Sequence, residues 1–285
     1  MNMNRRVAIG ALAAAGLAGC TRLELFDTMA PRDHGAERIA EGVPYGSGPR
    51  QKLDIYAPPL ARKAPVVVFF YGGSWNSGDR VDYGFLGTAL AAQGFVTVLP
   101  DYRLVPEFRF PSFVEDGASA IAWVAREIAR YGGDGTRIVI AGHSAGAYIA
   151  SMVALSPSYL AATDSKIRLR GFAGLAGPYD FLPFDFPSTI EAFGAWPRPV
   201  ETQPVHYVHR GAPPSLLLNG LADTTVPARH AITLAAKLKS VGSAVELITY
   251  EGVDHVDIML ALSRTFRERA NTLADLTNFV RRVTA

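Results

Sequence analysis

A serine set between two glycines, in Gly142-His143-Ser144-Ala145-Gly146, is the segment of this sequence best placed to do chemistry. The pentapeptide follows an apolar run, Ile138-Val139-Ile140-Ala141, and precedes a helix-like stretch from Tyr148 to Leu155. In that setting a sharp strand-to-helix turn lifts the hydroxyl out of a sheet, and crowding demands glycine two positions to either side. The same turn aims the Ala145 N–H and the helix N-terminus at the place where an oxyanion develops. The chemistry implied is nucleophilic attack by Ser144.

A serine hydroxyl is a weak nucleophile without an adjacent base, and the base needs an acceptor to fix its tautomer. Of the six histidines, His34 lies before the first strand signal and His143 lies inside the turn itself. His206 and His209 fall in a proline-rich stretch, and His230 sits in a predicted helix, where it is expected to face solvent. His255 follows the strand-like Val245 to Tyr250 in a late loop, where the chain order Ser, Asp, His puts a base. It is the expected general base. Asp223 follows the strand-like Leu216 to Asn219 and precedes Val226-Pro227, the pattern of a strand, a short loop with a carboxylate and a helix opened by proline. Asp254 competes for the role of acid because it adjoins the histidine, but sequence neighbours rarely face each other across an Nδ1 hydrogen bond. Asp223 is the expected acid.

Upstream, Tyr71-Gly72-Gly73-Ser74-Trp75 closes the apolar run Val66 to Phe70. A glycine pair at a strand end serves a plain tight turn, or lets backbone N–H groups approach a ligand. Paired with the serine turn, it is the expected second half of an oxyanion hole, through Gly73 and Ser74, with Ala145 as the other half. Asp101-Tyr102-Arg103 is expected to be a buried hydrogen-bonding turn outside the reaction. Glu115 and Asp116 are expected to cap or solvate a helix.

These residues need a scaffold. Strand signals alternate with helix signals from Gln51 onward, as in a mostly parallel sheet covered on both faces. Pro65 to Tyr71, Phe95 to Leu99 and Arg137 to Ala141 are continuous apolar runs, expected of strands buried on both faces. Lys52 to Tyr56 alternates and predicts an edge strand. Further strands are expected over 170–175, 215–219 and 245–250, and helices over 111–131, 227–241 and 273–283. The stretch 178–214, rich in proline and aromatics, interrupts the alternation late. It is either a small cap-like insertion over the active site or a long connection with its own small core.

The chain has 285 residues, 49% hydrophobic and 19% charged, with a formal net charge of +2. That supports a folded core and argues against disorder. No basic stripe interleaved with aromatics occurs, so nucleic acid is not an expected partner. One cysteine excludes an internal disulfide and any multi-cysteine metal site. No metal-ligand spacing, dinucleotide fingerprint or phosphate loop is present, so no cofactor or metal is expected. Residues 1–19 carry Arg5 and Arg6 and then an apolar stretch shorter than the roughly 20 residues that span a bilayer. They end in Leu17-Ala18-Gly19-Cys20, which resembles the lipobox of bacterial lipoproteins. The resemblance implies diacylation at Cys20 and an exported, membrane-anchored protein. Residues 20–50 then read as a loop-like tether and lead-in before a hydrolase domain over 51–285.

The motifs together resemble those of α/β-hydrolase esterases of the hormone-sensitive-lipase-like and kynurenine-formamidase-like groups. The resemblance covers roughly Gln51 to Val283, and it departs from those groups in having Tyr71 where they usually carry histidine. It implies the α/β-hydrolase fold and hydrolysis of short-chain or small aromatic carboxylic esters through an acyl-enzyme on Ser144, without a cofactor. Arylformamidase or other amide hydrolysis on the same triad is the enzymatic alternative. A catalytically inactive, surface-binding lipoprotein is the non-enzymatic one.

Overall fold

The computed structural model describes residues 19–164 and 166–285. The segment before residue 19 and the Cys20 side chain, on which the signal-peptide and lipidation expectations fall, lie outside the described residues.

The sheet is built from β1 (Glu37–Pro44), β2 (Lys52–Ala57), β3 (Ala64–Phe70), β4 (Val96–Pro100), β5 (Gly133–His143), β6 (Gly171–Leu175), β7 (Ser215–Gly220) and β8 (Val245–Tyr250). Their order across it is β1-β2-β4-β3-β5-β6-β7-β8. From β4 to β8 every pairing is parallel, while β1 with β2 and β2 with β4 are antiparallel. β3 explains why the middle holds. Its run of valines and phenylalanines suits a pleated surface, and Val68 pairs with Val98 on one side and Ile140 on the other. Val66 to Phe70 are completely buried, as a strand covered on both faces requires.

The covering helices are α1 (Gly19–Met29), α2 (Gly84–Ala91), α3 (Ser112–Glu127), α4 (Ala145–Leu155), α5 (Pro157–Thr163), α6 (Pro187–Phe193), α7 (Arg229–Ser240), α8 (Asp257–Leu260) and α9 (Thr272–Thr284). In α9, Leu273, Leu276, Phe279 and Val280 recur at helical spacing and are all buried, which is the ordinary reason a helix docks. Helix α4 differs in being buried all round, because it runs from the serine turn directly behind the central strands.

Two expectations fail at the N-terminal side. The stretch read as a loop-like tether contains helix α1 and strand β1. α1 buries Phe26 against Phe85 and Phe266, with ring centroids 5.2 and 5.7 Å away. It is pinned further by Asp27, which accepts from Arg32 at 2.6 Å and from the Phe85 amide at 2.7 Å. Because α1 docks through few apolar positions, it leaves little period to read. β1 has register shifts at Ala40 and Val43 that break any alternation. Its presence also corrects the assignment of Lys52–Ala57, which lies inside the sheet between β1 and β4.

The stretch 178–214 sits between β6 and β7 and contains α6 and two 3-10 turns, Pro199–Thr202 and Pro204–Tyr207. Both readings of it hold in part. Phe193 gathers Trp75, Tyr148 and Phe181 at 4.8, 5.1 and 5.3 Å, a small aromatic core shared with the main domain. Other residues of the stretch line a cleft at Ser144.

Candidate active site

The serine turn joins β5 to α4. Ser144 has φ 53° and ψ −123°, a region that costs a non-glycine residue free energy and persists only when its surroundings enforce it. Two constraints do so here. The Ser144 amide donates to the Leu175 carbonyl at 2.9 Å, tying the turn to β6. Gly146 lets the start of α4 press on β3, since a Cβ there would stand 2.1 Å from the Phe70 carbonyl oxygen.

Three side chains separated widely in sequence converge on this turn. The His255 Nε2 lies 2.9 Å from Ser144 Oγ, and its Nδ1 lies 2.8 Å from Asp223 Oδ2. His255 stands on the loop between β8 and α8, and Asp223 on the loop after β7. The two loops are laced together, because Leu221 N donates to Tyr250 O at 2.9 Å and Ala222 N to Val253 O at 3.1 Å. Asp223 Oδ1 is occupied by the amides of Thr225 and Val226 at 2.9 and 2.8 Å, which fixes the carboxylate and leaves Oδ2 for the imidazole. The competing carboxylate, Asp254, caps α8 instead by accepting from Val256 N and Asp257 N at 2.9 and 2.8 Å.

The glycine pair after β3 forms the facing loop. A Cβ on Gly72 would lie 3.0 Å from the Ser144 Cβ, so this loop and the serine are in van der Waals contact. Gly73 has φ +131°, where an L side chain is strained, and its carbonyl accepts from Asn76 and Ser77 N at 3.0 Å. Among the described residues no acceptor takes the N–H groups of Gly73, Ser74 or Ala145. Tyr71, the departure from the usual histidine, has its own support. Its hydroxyl donates to Asp101 Oδ1 at 2.8 Å and accepts from Arg50 at 2.6 Å, and its ring stacks on Tyr102 at 4.7 Å.

Comparison with known proteins agrees with this geometry. The BD-FAE family profile matches residues 53–194. Esterase LipC of Mycobacterium tuberculosis is 31% identical over 78% of this chain and 61% of its own length. The isoprenylcysteine alpha-carbonyl methylesterase ICME of Arabidopsis thaliana is 29% identical over 79% of this chain and 58% of its own. Among solved structures, the butyrate-bound thermophilic esterase Est2 of the planctomycete Thermogutta terrifontis superposes with a TM-score of 0.71 and 25% identity. It covers 88% of this chain and 95% of that one. The chain has the α/β-hydrolase fold. It spans about three fifths of the length of the curated relatives it matches.

The electrostatics of this site favour an ionised Asp223. Burial pushes the Asp223 carboxyl up, but the His255 hydrogen bond and charge and the Val226 and Thr225 amides outweigh it and hold the group below its ordinary value. Sequence reasoning set His143 aside, yet it belongs to the site. Its Nε2–H donates to the His255 carbonyl at 2.8 Å, and its ring centroid is 4.8 Å from that of His255. Burial first, then the neighbouring His255, pushes its pKa down to about 3. It therefore stays uncharged and tethers the loop that carries His255. The signal was present in the pentapeptide, but its partner, a backbone carbonyl over a hundred residues away, was not.

Two other expectations need correcting. His230 lies in α7 but faces inward, 4% exposed, with Nδ1 accepting from Asp180 N at 3.4 Å. Asp116 neither caps nor solvates α3. It is fully buried and paired with Arg103 at 2.8 Å and with Gln51 Nε2 at 2.7 Å, because α3 packs across the turn after β4. Asp101 is the buried turn expected, accepting from Tyr71 and from the Arg80 amide at 2.8 Å.

Two clefts open on Ser144. One, of about 410 Å³, is walled by Leu23, Phe26, Asp82, Tyr83, Met259 and Leu260. The other, of about 620 Å³, is walled by Phe181, Leu182, Phe186, Thr189, Arg229 and His230. Among the described residues no group of three His, Cys, Asp or Glu side chains is arranged to hold a metal ion.

Proposed function

We propose that the chain is a serine carboxylesterase acting on short-chain or small aromatic carboxylic esters through an acyl-enzyme on Ser144. The observation that carries this reading is the single imidazole of His255, bonded at once to Ser144 Oγ and to Asp223 Oδ2 at 2.9 and 2.8 Å. His255 takes the hydroxyl proton as Ser144 attacks the ester carbonyl, and returns it to the leaving alkoxide. Asp223 holds the ring in the tautomer with its proton on Nδ1 and stabilises the imidazolium. The unengaged N–H groups of Gly73, Ser74 and Ala145 receive the oxyanion, and each such donor is worth about 10²–10³ in rate. Water, activated by the same imidazole, then releases the acid.

Small esters are favoured by the two clefts of about 410 and 620 Å³, which divide the space around the serine instead of offering one long channel. The butyrate held by the similar Est2 points the same way. We also propose that Cys20 carries a lipid anchor that keeps the exported enzyme at a membrane surface. This rests on the lipobox-like residues 17–20 and on the cysteine being the only one in the chain.

A fluorophosphonate probe tests the catalytic reading: wild type labels and Ser144→Ala does not. Rates on p-nitrophenyl acetate, longer esters, feruloyl esters and N-formylkynurenine then rank the substrate classes. A clear lead for the amide would overturn the esterase reading. Metabolic labelling with a radioactive fatty acid tests the anchor, with label expected in the wild type and lost in Cys20→Ala.

A further inference from the structure

One carboxyl in the smaller cleft has no partner. Asp82, on the 3-10 helix Arg80–Tyr83, is 6% exposed, and among the described residues no donor or cation reaches its side chain. What access it has is through the cleft it lines together with Ser144 and His255. Buried carboxylates are ordinarily paired, because leaving one unpaired costs folding free energy. Three of the carboxylates around it have partners of their own. Asp27 is held by Arg32 at 2.6 Å, Asp101 by Arg80 at 2.5 Å, and Asp79 accepts from the Val81 amide at 3.1 Å. Burial first, then the charges of Asp79, Glu24, Asp27 and Asp101, pushes Asp82 up to about 7. The four neighbouring carboxylates, unlike the burial, favour positive charge at this spot. The rings of Phe26 and Tyr83 line the same cleft, and aromatic faces attract a cation that has left water.

We propose that Asp82 is a specificity-determining residue that binds a cationic group, an ammonium, carried by the part of the ester that enters this cleft. The proposal rests on the esterase reading and adds to it the substrate class. An ammonium there gains the unpaired carboxylate and two aromatic walls, while Leu23, Met259 and Leu260 cover the carbon chain next to it. A neutral ester of the same shape gains only the apolar cover. Retaining a buried, unpaired carboxylate is disfavoured for stability alone, and a ligand that pairs with it accounts for its presence.

The test uses pairs of esters that differ only in charge, with the cation in either half. A choline ester is set against its neutral carbon isostere, and p-nitrophenyl aminohexanoate against p-nitrophenyl heptanoate. The readout is the ratio of kcat/KM for the cationic member to that of the neutral one, at about pH 8, where an acid of pKa near 7 is ionised. For at least one pair the wild-type ratio is expected to be about tenfold above unity, the size of one charge-assisted hydrogen bond. Asp82→Asn and Asp82→Leu are both expected to bring that ratio to one or below. The ratio is internal to each variant, so loss of folded protein does not affect it. Equal rates for both members of both pairs in the wild type would overturn the proposal while leaving the esterase reading intact. So would a preference that survives both substitutions. If no ester is turned over and Ser144 takes no fluorophosphonate, the esterase reading fails, and the proposal with it.

Discussion

The two clefts that meet at Ser144 are built from opposite materials. On one side, helix α1 and the 3-10 helix at Arg80–Tyr83 supply an apolar wall interrupted by an unpaired acid, Asp82. On the other, the stretch between β6 and β7 supplies aromatic and polar walls backed by a buried base, His230. The two groups are shifted in opposite directions from their ordinary values. The Asp82 pKa stands at about 7, above its ordinary value, whereas burial and the nearby Arg229 push His230 down to about 4. Ser144 thus faces one compartment with a single unpaired acid and another whose walls carry both signs, Asp180 and Asp185 beside Arg229 and His230. A two-step acyl transfer can use that difference, since acyl and leaving groups must lie on different sides of the serine.

The comparison supposes a single shared centre, so the largest effects should ignore which cleft a substrate prefers. Ser144→Ala and His255→Ala should each lower kcat by about 10⁴ or more on every ester, judged by steady-state assay. Asp223→Asn should cost about 10³–10⁴ in kcat with KM little changed, because the imidazole would then be held in the wrong tautomer. If one substitution spared a whole class of esters, a second centre would be serving one of the clefts.

Stability should separate the two walls. Phe193 packs against six aromatic rings, and Phe193→Ala should lower the urea-unfolding free energy by about 3–5 kcal/mol. Among the described residues Phe26 meets two rings, and Phe26→Ala should cost less than Phe193→Ala and alter selectivity on the Asp82 side alone. Equal costs would contradict the view that the insertion shares the main core while α1 is an added wall.

Titration gives the smallest and most specific difference. His230 in the folded state is depressed below the unfolded value of about 6.5, so the stability it contributes is present above pH 6.5 and is lost as the pH falls toward about 4. Asp82 is raised, so its contribution is present below about pH 4 and is lost as the pH rises through about 7. Urea unfolding from about pH 4 to 8 should therefore show two substitutions moving in opposite senses, each by about 2 kcal/mol. Asp82→Asn should stabilise the protein at the alkaline end only. His230→Asn should flatten the acid-side loss, leaving the part due to His143, whose pKa is depressed to about 3 for the same reason.

These contrasts also mark what could be read from the sequence. The Ser144 turn was legible because its constraints are local: a buried strand, two glycines and a helix lie in one short segment. Asp223 and His255 were legible because each follows a strand that announces itself. The walls of the smaller cleft were not. Helix α1 docks through Phe26, with Ala30 just past its end, too few positions for a period, and the rings it meets, Phe85 and Phe266, lie far along the chain. β1 was hidden by its shifts of register, and its absence from the reading made β2 look like an edge. His143, His230 and Asp116 were misjudged because a polar residue on a helix or turn gives no sign of which way it faces. Their partners are a backbone carbonyl, a backbone amide and an arginine on other elements.

The account depends on Ser144 becoming acylated because His255 can take its proton. Rapid quenching of p-nitrophenyl acetate turnover, followed by peptide mass spectrometry, looks at that event directly. An acetyl adduct on the peptide carrying Ser144 is expected in the wild type, formed at least a thousandfold more slowly in His255→Ala. Turnover with no adduct at Ser144, or an adduct that forms as fast without the imidazole, would contradict it.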